Sequence, residues 1–272
     1  MRATIVFNRR ISTAYLHLGL AVPAFPMTFQ AGEFVMVRPS WDGDPFLPRA
    51  FSIYRVSGPA SRGGSSGVDS PPVIEILYKV LGKGTQYLAR MEPPQEVEVL
   101  GPLGNAFTPP DHGALAVLVA GGIGVPPIAA LATQFRNSKF EIRNVEVFLG
   151  GKTSEDILCV KDFEEAGATV HITTEDGSLG SRGLVTDVLR PFLFTPHASR
   201  LTMYTCGPPG MLAAVARLAQ ECAVPCQVSV ETNMACGFGA CMGCAIEVTG
   251  DVKTYKLVCK DGPVFDSREI KW

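Results

Sequence analysis

Residues 235 to 244 read ACGFGACMGC, with three cysteines and three glycines, and a fourth cysteine follows in LVCKDG. Cys236, Cys241 and Cys244 give the spacing C-x4-C-x2-C, and Cys259 follows after fourteen further residues. Plant-type 2Fe-2S clusters have this order of spacings, because four thiolates must fold around two irons. Glycines in such a loop let backbone N–H groups turn toward the sulfur atoms. The spacing therefore predicts a 2Fe-2S cluster held by these four cysteines.

A structural zinc site with four cysteine ligands is an alternative interpretation of the same residues. Zinc ribbons usually pair one C-x2-C with a second C-x2-C, whereas here one half has x4 spacing and the last cysteine stands alone. Disulfides are the weaker alternative, since no secretory signal is evident and we expect a reducing compartment, the cytoplasm, for a chain with eight cysteines. The other four cysteines show no ligand spacing: Cys159, Cys206, Cys222 and Cys226.

The bulk composition is that of a packed protein without an electrostatic surface for nucleic acid. Hydrophobic residues make up 46% and charged residues 18% of the 272 positions, and the net charge is -2. No apolar run reaches the length that spans a bilayer. The length exceeds that of one ordinary domain, so two domains and a small appendage are expected. We expect neither a nucleic-acid partner nor a membrane span.

The pattern of hydrophobic residues divides the chain into three regions. Residues 1–104 contain short alternating runs punctuated by glycine and proline, which predict an antiparallel β-barrel or sandwich. Residues 105–225 alternate continuous apolar strands with helical segments, which predicts a parallel α/β sheet covered on both faces. Residues 226–272 hold the cysteine cluster. Ligands of such parallel sheets bind at the carboxyl ends of the strands.

Two short stretches of the first region could bind a phosphate-bearing cofactor. In RAFSIY, Arg49 offers a rigid fork of donors, and Ser52 offers a hydroxyl that can bond a flat ring. In LGKGTQYLAR, Gly82, Gly84 and Thr85 precede a short helical run whose N–H groups suit an anion. A plain glycine turn with a threonine cap is the favoured interpretation when the second stretch is taken alone.

Two glycine-rich turns of the second region follow apolar strands. VAGGIGVPPIAAL places Gly121, Gly122 and Gly124 before a helix opened by prolines, which lets a diphosphate approach the backbone. The turn resembles the GxGxxG fingerprint without matching it, so it indicates a dinucleotide only in general terms. YTCGPPGML repeats the arrangement with Cys206 at the strand tip, where it is either a nicotinamide-site residue or a plain buried one.

With its three regions in this order, the chain resembles the ferredoxin reductase family, in which a flavin barrel precedes a nicotinamide domain. ACGFGACMGC and VCKDGPVF make it most similar, within that family, to the electron-transfer subunits of NAD-dependent, class B dihydroorotate dehydrogenases. The resemblance implies an FAD-binding β-barrel over 1–104, an NAD-binding α/β domain over 105–225 and a small 2Fe-2S domain over 226–272. It also implies that the four spaced cysteines ligate the cluster and that FAD contacts come from Arg49, Ala50, Phe51, Ser52, Leu77, Tyr78, Lys79, Gly84 and Thr85.

The same resemblance implies a role and a partner. Electrons from dihydroorotate would pass from FMN in a catalytic partner subunit to the cluster, then to FAD and to NAD+, in pyrimidine biosynthesis and within a heterotetramer of two subunits of each kind. No residue of this chain is expected to act as a catalytic base, and Cys206 and Glu231 are candidates for shaping the nicotinamide site. Glu155 and Asp156 beside Lys152 favour NAD over NADP, because a 2'-phosphate needs more positive charge.

Two other functions stay open at the level of sequence. The same layout serves reductase subunits of hydrogenases and of ferredoxin-NAD(P) oxidoreductase complexes. A non-catalytic module with a structural zinc is the alternative from a different class. Two features also depart from the family pattern: Ala50 stands where relatives commonly have proline, and the glycine-serine stretch after Gly58 is longer than expected.

Overall fold

The computed structural model describes residues 1–39, 43–58, 71–110, 115–137, 145–194, 201–250 and 252–272. Most of the glycine-serine stretch after Gly58 lies outside these described residues. Within them the strands form two large sheets and one small hairpin. No helix in the described part of the chain is long and apolar enough to cross a bilayer.

The first large sheet is antiparallel and is built from the N-terminal region. Its strands within the described residues are β1 (Arg2–Arg10), β2 (Tyr15–Ala21), β3 (Phe34–Arg38), β4 (Arg49–Ser52), β5 (Arg55–Ser57), β6 (Val73–Lys79) and β7 (Glu96–Leu103), and α1 (Lys83–Leu88) lies between the last two. Side-chain alternation explains such strands: in β7, Val97 and Val99 are buried while Glu96 is exposed. The strands pair in the order β4-β3-β7-β1-β2-β6-β5, and β4 also contacts β6. The sheet therefore curls into a barrel-like form, as the sequence predicts.

The second large sheet is parallel apart from its last strand and carries helices on both faces. In chain order its described elements are β8 (Leu115–Gly121), α2 (Val125–Asn137), β9 (Val145–Gly151), α3 (Val160–Glu165), β10 (Thr169–Thr174), β11 (Ser181–Arg182), α4 (Val185–Leu193), β12 (Leu201–Cys206), α5 (Pro209–Glu221) and β13 (Cys226–Ser229). The centre of β8 is buried on both faces, which explains its unbroken apolar sequence. Apolar residues of α2 and α3 pack on one face, and those of α4 and α5 pack on the other.

The order of the second sheet creates a crevice beside its central strand. The strands run β11-β10-β9-β8-β12-β13, and β16 (Val264–Asp266) closes the edge in antiparallel fashion. The chain leaves β8 toward β9 on one side and later returns to β12 on the other side. Ligands of open α/β sheets bind at the carboxyl ends of the strands at such a switch point. The fold therefore places a ligand crevice between the ends of β8 and β12.

The cysteine-rich region leaves the second sheet after β13 and rejoins it at β16. Between them lie the cysteine loop, the hairpin of β14 (Ala245–Val248) and β15 (Thr254–Leu257), and α6 (Val258–Asp261). The second sheet thus continues past residue 225, and the domain boundaries given above stay predictions. One hydrophobic core joins Cys244 and Cys259 with Val228 of the sheet and with Phe34 and Met36 of the barrel. This shared core holds the cysteine loop against the barrel.

Candidate functional site

A cavity of about 940 Å³ lies between the barrel and the second sheet. Strands β4 and β6 and the turn before α1 form its barrel wall, and the residues that follow β13 form much of the opposite wall. The sequence-predicted flavin residues that line it are Arg49, Ala50, Phe51, Ser52, Leu77, Tyr78, Lys79 and Thr85. The structure thus brings these separate stretches together around one space, and their assignment as FAD ligands stays a prediction.

Arg49 and Gly84 are in direct contact at this cavity. A Cβ built on Gly84 would lie 2.5 Å from Nε and 2.6 Å from Cζ of Arg49, so only glycine leaves room for the guanidinium. The Thr85 hydroxyl accepts hydrogen bonds from the backbone N–H of Leu81 at 2.9 Å and of Gly82 at 3.1 Å. The turn is therefore fixed, and it lies beside the guanidinium of Arg49 on β4, which is a fork of donors of the kind that binds phosphate. These features fit the diphosphate of a dinucleotide.

Ala50, where the resemblance predicts a proline, lies in a regular part of β4. It pairs with Met36 of β3 in a ladder that runs from Arg49 to Ser52 without a register shift. Phe51 packs edge-on against Tyr78, with ring centroids 5.7 Å apart. The arginine and serine of the motif therefore remain on one ordered strand.

A second cavity of about 450 Å³ occupies the crevice at the carboxyl ends of β8 and β12. Gly121, Gly122 and Gly124 all line it. A Cβ on Gly124 would lie 2.5 Å from the backbone carbonyl of Cys206, so glycine is what allows the turn after β8 to pack on the end of β12. Gly122 has a φ of +51°, which also favours glycine. The turn therefore fits the close approach of a dinucleotide, as its sequence predicts.

The two cavities meet at Lys79, Ile123 and Glu231, which line both of them. The Glu231 side chain is exposed to the open cleft, although protein atoms surround it on most sides. This enclosure disfavours the carboxylate and raises the pKa of Glu231 to about 7. Glu231 therefore stands where ligands of the two cavities would meet, in a protonation state that changes near neutral pH.

Cys206 lies behind this junction. Its side chain is fully buried, and it is not among the residues that line either cavity. Burial raises the pKa of the Cys206 thiol well above its usual range; the nearby Glu231 raises it further and a hydrogen bond to Ser229 opposes the change. Ser229, its neighbour on β13, does line the larger cavity. Of the two sequence candidates, Glu231 reaches the cleft and Cys206 supports its wall.

Tyr15 and Asp156 join the barrel to the second sheet beside the smaller cavity. The Tyr15 hydroxyl donates to Oδ1 of Asp156 at 2.5 Å, and the Lys79 ammonium is 3.1 Å from the same oxygen. Tyr15, Lys79 and Asp156 all line the smaller cavity. Sequence reasoning did not identify Tyr15, because it is 141 positions from its partner and its strand pattern indicates only burial. Glu155, the neighbouring acid, accepts a hydrogen bond from Thr13 at 2.9 Å and so also joins the two parts.

The four spaced cysteines converge in the cysteine loop and α6. Sγ of Cys244 is 3.2 Å from Sγ of Cys259, and the backbone N–H of Gly239 points at Cys259 Sγ at 3.1 Å. The N–H of Cys241 points at Cys236 Sγ at 3.4 Å. Gly239 has a φ of +88°, which lets the loop turn its N–H groups inward. The sulfur atoms of Cys244 and Cys259 therefore lie side by side, and backbone N–H groups point at the sulfur atoms of Cys236 and Cys259.

The electrostatics of these sulfur atoms suit a bound cation. Burial opposes ionisation of Cys236, but N–H groups of Phe238, Cys241 and Ala240 outweigh it and lower the pKa of Cys236 to about 6. Burial and contact with Cys244 raise the pKa of Cys259 to about 12. Two adjacent buried thiolates need a cation to offset their repulsion, which a metal cluster supplies. The donor set therefore fits the 2Fe-2S cluster.

The alternative of a structural zinc site concerns the same four cysteines. In the described part of the chain, no three His, Cys, Asp or Glu side chains are grouped so that they could hold a single metal ion. A structural zinc would require four ligands around one point.

Two protein-family models match the chain. The iron-sulfur cluster binding domain of dihydroorotate dehydrogenase B matches residues 231–271, and the oxidoreductase NAD-binding domain matches residues 118–217. The first range contains the cysteine loop, and the second contains the glycine turn at the smaller cavity. Both matches therefore agree with the geometry.

Curated relatives span nearly the whole chain. The electron transfer subunit of dihydroorotate dehydrogenase B (NAD(+)) from Desulforamulus reducens is 34% identical and covers 98% of this chain and 98% of the relative. The corresponding subunit from Bacillus caldolyticus is 36% identical, with 99% of this chain and 97% of the relative covered.

Solved structures share the fold. An NADH-dependent reduced ferredoxin-NADP oxidoreductase matches with a TM-score of 0.81 and 25% identity, over 99% of this chain and 90% of that chain. The cytochrome b5 reductase domain of Ulva prolifera nitrate reductase matches with a TM-score of 0.64 and 17% identity, over 86% of this chain and 95% of that chain. The architecture is that of the ferredoxin reductase fold with an added cluster region.

Proposed function

We propose a function from one premise: the chain belongs to the family of electron-transfer subunits of dihydroorotate dehydrogenase B (NAD(+)). It is an oxidoreductase subunit that uses FAD, a 2Fe-2S cluster and NAD. Its proposed role is to carry electrons from a catalytic partner subunit that oxidises dihydroorotate, a step of pyrimidine biosynthesis, to NAD+. The cytoplasm is the proposed compartment.

One observation carries this proposal: the cysteine loop, the larger cavity and the smaller cavity adjoin one another in that order. Met234 lines the larger cavity, and the first cluster cysteine, Cys236, follows two residues later. Gly237 packs on the barrel, since a Cβ there would lie 2.4 Å from Cγ of Met36. At its other end the larger cavity shares Glu231 with the smaller one. This arrangement supports the proposal that the flavin is bound between the cluster and the nicotinamide dinucleotide.

This order matches the chemistry of the cofactors. When bound, nicotinamide exchanges a hydride and the cluster exchanges single electrons, while a flavin can do both. Arg49 and the Thr85 turn are proposed to bind the flavin dinucleotide, and the glycine turn at Gly122 is proposed to bind the nicotinamide dinucleotide. Glu231 stands between them, where it can hold or release a proton near neutral pH. The proposed task of the protein is thus to position three electron carriers.

The proposed partner is an FMN-containing catalytic subunit, in a complex with two subunits of each kind. Phe238 and Met242 flank the cluster cysteines and are 59% and 60% exposed. Cys241 is itself exposed. Exposed apolar side chains beside a redox centre suit contact with another protein. This surface is therefore the proposed route by which electrons enter the chain.

Copurification of the tagged chain from its own cells tests the proposed partner. We expect a flavin-containing subunit that oxidises dihydroorotate, and an equal molar amount of this chain. Copurification with a hydrogenase subunit or a ferredoxin instead would contradict the assignment. A colourless protein that contains zinc and no flavin would refute electron transfer altogether.

A further inference from the structure

Lys260 directly follows the last of the four spaced cysteines, Cys259, in helix α6. Its side-chain stem packs on the cysteine loop: a Cβ built on Gly239 would lie 3.0 Å from Cδ, 3.3 Å from Cβ and 3.5 Å from Cγ of Lys260. The backbone N–H of the same glycine points at Sγ of Cys259 at 3.1 Å. The lysine stem therefore lies against a peptide group that faces one of the four sulfur atoms.

The charge of Lys260 is not offset in the way that its neighbours' charges are. The other described cations of residues 236–272 all have carboxylate partners, and these ion pairs are Lys256 with Glu269, Lys253 and Lys271 with Glu247, and Arg268 with Asp266. Lys260 is exposed and forms no ion pair with a residue that the structure describes. The adjacent acid, Asp261, instead accepts a hydrogen bond from the backbone N–H of Leu257 at 2.7 Å.

A cation at this place acts on the charge that the cysteine loop holds when a cluster is bound. Reduction adds one negative charge to the cluster, and a nearby positive charge lowers the energy of the more negative state. The net charge around an iron-sulfur cluster is one of the factors that set its reduction potential. An unpaired lysine beside the loop should therefore make the cluster easier to reduce.

We propose that Lys260 raises the reduction potential of the 2Fe-2S cluster through its charge, and so favours the entry of electrons from the catalytic partner subunit. The proposal rests on the proposed function and goes beyond it, because Lys260 is not a cluster ligand. In the step concerned, one electron leaves the reduced FMN of the partner and enters the cluster, and Lys260 exchanges neither an electron nor a proton. Its packing on Gly239 limits how far the ammonium can move from the loop.

The midpoint potential of the cluster tests this assignment. The full chain, with FAD and cluster bound, is poised with mediators at a series of potentials, and electron paramagnetic resonance measures the reduced cluster at each. Lys260→Met keeps an apolar stem and removes the charge. At a fixed potential, the ratio of reduced to oxidised cluster should fall about three- to tenfold, which is a midpoint lower by about 28 to 59 mV for one electron.

Two companion variants and a change of salt separate charge from packing. Lys260→Arg keeps the cation and should have nearly the potential of the unchanged chain. Lys260→Glu reverses the charge and should lower the potential further than Lys260→Met. The difference between Lys260→Met and the unchanged chain should shrink in about 1 M salt, because exposed charges are then screened within about 3 Å.

Lys161→Met is the matched control. Lys161 is an exposed lysine of α3, so its replacement changes the net charge by the same amount. Helix α3 packs in the core on one face of the second sheet, whereas Cys259 belongs to the core shared with the barrel. The control should leave the midpoint potential unchanged. Iron and sulfide content shows cluster assembly in each variant, and Lys260→Gln replaces Lys260→Met if the latter does not assemble the cluster.

Three results with cluster-containing protein would overturn the inference while leaving the proposed function intact. Equal midpoint potentials for the unchanged chain, Lys260→Met and Lys260→Glu would refute any effect of the charge. A potential of Lys260→Arg as low as that of Lys260→Met would show that the packing on Gly239 matters and the charge does not. A difference that is undiminished in 1 M salt would also contradict a charge effect. Failure of the unchanged chain to assemble a cluster would instead refute the proposed function, and the inference with it.

Discussion

Replacement of Gly84 by alanine tests whether Arg49 binds the flavin dinucleotide. The added Cβ would lie 2.5 Å from Nε and 2.7 Å from Nη2 of Arg49, distances that force the guanidinium to move. Because the clash is with the end of a flexible side chain, the backbone of α1 can stay in place. Alanine in place of glycine also makes the free energy of helix formation more favourable, by about 1 kcal/mol. The change should therefore displace Arg49 without unfolding the protein.

The size of the effect follows from the contact that is lost. A hydrogen bond to a charged group contributes about 1.5 to 3 kcal/mol, and each 1.4 kcal/mol or so is a factor of ten in Kd. Gly84→Ala should therefore weaken FAD binding by about ten- to a hundredfold. The assay removes FAD, titrates it back and follows the change in flavin fluorescence. Urea unfolding of the FAD-free chain should show a free energy of unfolding that is unchanged or slightly higher.

Gly82→Ala is the control for this substitution. A Cβ on Gly82 would meet no atom within 4 Å, and its φ of -155° is open to any residue. It should bind FAD with nearly the affinity of the unchanged chain. Equal FAD affinities for Gly84→Ala and Gly82→Ala would refute the assignment of Arg49 as a phosphate-binding residue.

Three further predictions concern the cluster, the junction and the second cavity. Cys241→Ser should prevent cluster assembly while NADH-to-dye activity through FAD stays largely intact; equal loss of both would contradict the order of cofactors. Between pH 4.5 and about 7 the folded chain keeps a proton on Glu231 that the unfolded chain releases, so the free energy of unfolding falls as pH rises through this window. Glu231→Gln should flatten that slope in urea unfolding at several pH values, and an unchanged slope would argue against the raised pKa. Gly124→Ala places a Cβ 2.5 Å from the backbone of Cys206, so NADH binding measured by calorimetry should be lost or strongly weakened, and normal binding would contradict the packed turn.

The sequence predicts the order and type of the three regions well, because each has a clear local pattern. The alternation in β7 and the unbroken apolar sequence of β8 are visible in short windows, and the structure confirms the barrel-like sheet and the parallel sheet. The return of the chain to the second sheet at β16 is not visible in this way. Its three residues are too short to show a period, and their pairing with β13 depends on tertiary packing.

The candidate site is predictable where its residues are neighbours in sequence. The cysteines of the loop are found from their spacing alone. The turns at Gly84 and Gly122 are visible as glycine-rich stretches, but the flavin contact predicted for Gly84 comes from the family resemblance, and the site residues stay predictions. The contact of Tyr15 with Asp156 depends on how the barrel packs on the second sheet. The position of Lys79, which lines both cavities, depends on the same packing. Cys206 and Glu231 look alike as candidates in the sequence, and only burial shows that Glu231 is the one that reaches the cleft.

The central claim is that one chain connects a cluster, through a flavin, to a nicotinamide. Anaerobic titration of the purified chain with NADH, followed by visible absorption and electron paramagnetic resonance, tests it most directly. We expect NADH to bleach the flavin band and to produce the signal of a reduced 2Fe-2S cluster in the same titration. A flavin that is reduced while the cluster stays oxidised in the presence of excess NADH and a mediator, or a chain that carries no cluster, would contradict the account.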